Sequence, residues 1–133
     1  MKNQRENTKE VTTKDVLKRQ MLTESLQLFS LKGFDSVTFR DIGEKCGCRH
    51  SLINYYFGNK FDLWKSAVSF AFKSCSSDFV GNELFDKGLV NHNTLKALIE
   101  NFVYFCAERP QIQRIMVLES IHQTERFEWI IDN

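Results

Sequence analysis

TFRDIGEKCGCRHSLINYYFGNK, residues 38–60, decides how this chain is read. Two short helices joined by a tight turn fit it, the first from about Phe39 to Cys46 and the second from about His50 to Tyr56. Thr38 and Asp41 make a Thr-x-x-Asp pair, in which the hydroxyl can accept from an orphan amide and the carboxylate can reach back to the cap. Phe39, Ile42 and Cys46 recur at helical spacing and give the first helix one apolar face. Gly47 falls where the chain must turn sharply, in a left-handed conformation that only glycine adopts without steric cost. In the second helix Leu52, Ile53, Tyr56 and Phe57 supply core contacts, which leaves the polar positions between them facing outward. Two helices crossing steeply over so short a turn form a helix-turn-helix, whose second member fits the major groove of DNA.

From Arg19 to about Trp64, roughly a third of the chain, the sequence resembles the DNA-binding domain of the TetR family of transcriptional regulators. The residues that carry the resemblance are Leu28-Phe29 with Gly33-Phe34, Thr38 with Asp41-Ile42, Gly47, the run Leu52-Ile53-Asn54-Tyr55-Tyr56-Phe57-Gly58-Asn59-Lys60, and Leu63. The resemblance implies a recognition helix whose His50, Ser51 and Asn54 meet base edges while Arg49 and Tyr55 meet phosphates or sugars. Leu52 either packs on a thymine methyl or faces inward. Arg40, in the first turn of the preceding helix, reaches a base edge or a phosphate at the rim of the groove, or else pairs with Glu44 four residues on. Lys60 stands where the family presents a lysine to the DNA backbone, beside a helix N-terminus suited to phosphate. Thr38 and Tyr56, read from the residues as cap and core contact, complete the DNA-facing set. Arg49 departs from the family pattern, which prefers Ser or Thr there, because an arginine cannot accept from the orphan amides that open the helix.

Outside this stretch the chain reads as helical throughout. One proline, six glycines and no alternating apolar runs among 133 residues point to an all-α fold: a three-helix bundle with the helix-turn-helix, then a long connector helix and a partial helical ligand-binding domain. Residues 1–12 are expected to form a flexible arm. Residues 13–60 are expected to form the DNA-binding domain, its first helix running from a Thr13 cap to about Lys32. The connector, capped by Asn59, is expected to run to about Val80, and residues 81–93 to form a loop. A further helix from about Thr94 to Glu108 has Leu95, Leu98, Ile99, Phe102, Phe105 and Cys106 on its inner side. Pro110 opens the next, which runs to about His122, and a last helical segment begins near Thr124. Three of the last five residues are apolar with no stop signal, so residues 61–133, a ligand-binding and dimerisation domain by resemblance, are expected to be truncated at the C-terminus.

Charge supports a nucleic-acid partner without identifying one. Residues 1–60 hold 11 Lys+Arg against 7 Asp+Glu, while residues 61–133 hold 7 against 10, so a basic front half precedes an acidic back half. No apolar run approaches the ~20 residues of a membrane-spanning helix, and the polar start of the chain has no signal-peptide core. A cytoplasmic protein without membrane contact is expected, with cysteines as free thiols. Cys46-Gly47-Cys48 with His50 lacks the second ligand pair that a zinc site needs, and Cys48 with His50 lacks an oriented base or oxyanion donor, so neither a metal nor catalysis is expected. No cofactor is called for.

The expected function is a TetR-like regulator of transcription. It would be a repressor released from a palindromic operator in double-stranded DNA by a small apolar effector, and a homodimer in the intact protein. Phe72, Phe102, Tyr104, Phe105, Met116 and Glu119 are the candidate ligand-pocket residues, although aromatic side chains at helical spacing equally make an ordinary core. The competing reading is an all-α ligand-binding or interaction module that keeps the helix-turn-helix only as scaffold.

Overall fold

The computed structural model describes residues 12–74, 88 and 91–133. Among them the chain is all-α, with seven helices: α1 Thr13–Lys32, α2 Phe39–Cys46, α3 His50–Phe57, α4 Lys60–Lys73, α5 His92–Glu108, α6 Pro110–His122 and α7 Glu125–Asp132. The arm, apart from Thr12, falls outside the described residues. So do the connector's expected extension over 75–80 and, within the expected loop over 81–93, residues 81–87 and 89–90.

Local sequence sets most helix starts. The cap of α1 is Thr12 rather than Thr13, because Thr12 is the residue that lies three before an acidic partner: its Oγ1 accepts from the Asp15 amide and its own amide donates to the Asp15 carboxylate. Asn91 plays the same part for α5, accepting from the Thr94 amide at 3.0 Å, so that helix begins two residues before Thr94. Asn59 caps α4 through a 2.8 Å bond from the Asp62 amide.

Helix α1 is the hub, packed against α2, α4 and α6. Met21, Leu28 and Phe29 make its buried face, and Ser25 is buried beside them with its hydroxyl satisfied by the Met21 carbonyl at 2.6 Å. Val37, Ile42, Ile53, Leu63 and Trp64 close the core from the other elements. The same cluster takes in Ile115 of α6 and, at its edge, Trp129 and Ile130 of α7, with the Trp64 and Trp129 rings meeting edge to face at 5.8 Å. The C-terminal helices are therefore built onto the core that holds the helix-turn-helix.

Helix α5 differs from its expected packing. Leu98 is buried and Phe105 and Cys106 are half-buried, but Leu95, Ile99 and Phe102 are exposed. Its main neighbour among the described helices is α6, with Phe105 also packed against the cluster of Ala71 and Ile112, and so short a partner leaves much of a wide apolar stripe uncovered.

Candidate nucleic-acid interface

The turn between α2 and α3 is set by two glycines. Gly47 is left-handed at φ 66°, and its amide returns to the Gly43 carbonyl, which also accepts from the Cys48 amide at 2.9 Å. Gly43 is needed for closeness rather than for its dihedrals, since a Cβ there would lie 2.7 Å from the Cys48 carbonyl oxygen and 3.3 Å from the His50 nitrogen. The two helices meet with almost nothing between them. Cys46 is buried in this junction, and burial, then the neighbouring Cys48, pushes its thiol up to about 11.

Helix α3 is only 8 residues long and has two unlike faces. Ile53 and Phe57 are buried in the core, and Leu52 and Tyr56 are half-buried against it. His50, Ser51, Asn54 and Tyr55 are exposed, Tyr55 at 77 %. Leu52 packs against the core while part of it stays exposed. The side chains expected at base edges share one solvent-facing surface. Arg49 stands at the N-cap with no side-chain hydrogen bond to the helix, as an arginine there must.

Arg40 and Arg49 line an open depression together with Glu44, Gly47, His50 and Ser51. Arg40 donates from Nε to Glu44 Oε1 at 3.3 Å, but both side chains are mostly exposed, so the pair holds Arg40 weakly and leaves its other nitrogens available. Thr38 is committed to its cap: its hydroxyl donates to Asp41 Oδ2 at 2.6 Å and accepts from the Asp41 amide at 3.2 Å. Hydrogen bonds from Thr38, side chain first, hold the Asp41 carboxyl below its ordinary value.

Lys60 is placed differently from the other members of the set. Its Nζ donates to the carbonyls of Phe34 at 2.9 Å and Val37 at 3.1 Å, lies 3.5 Å from that of Asp35, and sits 4.5 Å from the centre of the Phe34 ring. The ammonium is thereby turned onto the corner between α1 and α2. No local sequence signal announces this, because the partners lie more than 20 residues upstream.

Among the described residues, the six candidate pocket residues take different settings. Phe72 and Met116 border a gap with Leu26 and Ile115 that leaves no room for a water-sized guest. Phe105 stacks on the exposed Phe102 at 6.5 Å between ring centres, and Tyr104 is 67 % exposed. Glu119 is buried, with its carboxylate accepting from Thr124 and Arg126. A cavity of about 210 Å³ lies between α1, α4 and α6, where Thr23, Gln27, Ser74, Arg109 and Gln111 supply the polar groups. The sequence reading did not single out any of these five. Among the described residues no cluster of three or more His, Cys, Asp or Glu side chains is placed to hold a metal ion, and no helix is long and apolar enough to cross a membrane.

A helix-turn-helix braced by a first helix, with a polar face on its second helix, is the architecture of a DNA-binding domain. Residues 21–67 match the family described as bacterial regulatory proteins, tetR family, which supports reading this segment as a TetR-like N-terminal helix-turn-helix domain. The match covers roughly a third of the chain, from the middle of α1 to the first half of α4. No curated protein sequence matches the chain closely enough to be reported as a relative.

Proposed function

We propose that the chain regulates transcription by laying α3 in the major groove, with His50, Ser51 and Asn54 at base edges and Arg40, Arg49 and Tyr55 at the flanking sugar-phosphate rails. The single observation that supports this is the two-faced α3: its apolar side is locked in the core while its polar side is free for a partner. The uncapped amides at its start add a site for phosphate. Two copies with a two-fold axis would read half-sites one helical turn, ~34 Å, apart, which makes the operator a palindrome. Repression, relieved when a small apolar effector favours a second arrangement of the helices behind the reader, is the mode that family likeness favours. Lys60 serves this function by fixing the corner in front of α2. To reach a phosphate it would have to leave the carbonyls it now holds.

Selection of bound sequences from a random duplex pool tests the proposal. Enrichment of a symmetric site, with affinity falling steeply as salt rises, is expected. Failure to enrich any sequence, or binding indifferent to salt, overturns it.

A further inference from the structure

The corner between α1 and α2 is gripped from a second direction. Arg126 of α7 places its guanidinium carbon 4.1 Å from the centre of the Phe34 ring, the ring that Lys60 approaches from α4. The Arg126 side chain is only 17 % exposed, and its Nε donates to Glu119 Oε1 at 2.9 Å. The other oxygen of Glu119 accepts from the Thr124 hydroxyl at 2.5 Å. Thr124 stands at the N-cap of α7, yet its hydroxyl makes no capping bond to that helix. Turning the hydroxyl toward Glu119 forgoes a stabilising cap, and in exchange both oxygens of a buried carboxylate are satisfied. Glu119 is thus the fixed point that orients Arg126 across the gap to Phe34.

Phe34 in turn stacks on Phe29 at 5.8 Å and meets Phe61 edge-on at 6.4 Å. Its carbonyl accepts from Lys60 and from the Val37 amide, and Thr38, which opens α2, follows directly. A displacement of α6 or α7 that carried Arg126 away would remove a cation from the ring face and loosen the segment that aims the helix-turn-helix.

We propose that Arg126, oriented by Glu119, is a positioning residue: it transmits the placement of the C-terminal helices to the start of α2 and so to the reading helix. The last step rests on the DNA-reading function proposed above; the mechanical link does not. Because the contact is a planar cation against a ring within a partly buried ion pair, it responds to small shifts and is poorly screened by salt. It touches no nucleic acid.

Amide hydrogen exchange and duplex affinity, measured on the full chain under conditions where it stays folded, test the link. Arg126→Gln is expected to speed exchange at Val37 and Thr38 by roughly threefold to tenfold, with the amides of Ile53 and Phe57 unaffected. It is also expected to weaken duplex binding by a similar factor without changing the salt slope. Phe34→Leu should reproduce the exchange effect, and the double variant should add little to either single one. Unchanged exchange at Val37 and Thr38 in Arg126→Gln, or full additivity with Phe34→Leu, overturns the inference. If Arg126→Gln does not fold, Glu119→Gln with Phe34→Leu makes the same comparison. A wild-type chain that binds no duplex defeats the DNA-reading proposal, while the exchange data still decide the link.

Discussion

Lys60→Met separates two roles that one lysine could have at this position. Met keeps most of the apolar stem and removes the ammonium. Two hydrogen bonds are lost, those to the Phe34 and Val37 carbonyls at 2.9 and 3.1 Å, and the 3.5 Å approach to Asp35 counts for little. At about 1 kcal/mol for each partly buried bond, plus about 0.5–1 kcal/mol for the cation over Phe34, the gross loss is about 3 kcal/mol. Released rotamer freedom offsets about 1 kcal/mol of that. The net destabilisation is therefore about 2 kcal/mol, or roughly 6–10 °C in Tm for a chain of this size. Urea unfolding followed by far-UV circular dichroism, with no DNA present, reads it directly. A midpoint that places Lys60→Met within about 0.5 kcal/mol of wild type would refute the structural role and return Lys60 to the phosphate backbone.

Other consequences can be checked on the free protein. Gly43→Val should lower stability by roughly 1–3 kcal/mol in the same urea assay, because the new Cβ meets backbone of the turn at 2.7 Å and backbone cannot swing aside as a side chain can. The Cys46 thiol, raised to about 11 by burial, should resist iodoacetamide in the native state at about pH 8 and react once denatured, as peptide mass mapping will show. The Asp41 carboxyl is depressed in the folded state by its bonds to Thr38, so its stabilising contribution is present above its ordinary value of 3.8 and is lost as pH falls through that value toward the folded one. Asp41→Asn should accordingly flatten the acid limb of a plot of urea midpoint against pH.

How much of this was readable without coordinates depends on distance along the chain. The helices of the 38–60 stretch, their Thr38 and Asn59 caps, the left-handed Gly47 and the outward set His50, Ser51 and Asn54 all follow from relations within four residues, where type and spacing dictate geometry. The all-α class follows likewise. The Thr12 cap was missed by one residue because two threonines stand side by side and only the position of Asp15 chooses between them.

Tertiary structure alone decided where the longer side chains spend their charge. Lys60 turns back 26 residues to the Phe34 carbonyl, Arg126 crosses to the same ring, and Trp129 closes on Trp64. Glu119, a candidate pocket residue, is in the folded chain the buried partner of Arg126. No periodicity encodes such contacts, because they arise only when α1 has gathered α4 and α6 onto one core. The sequence by itself determined a second helix with one polar face; the packed chain determined what holds that helix in place.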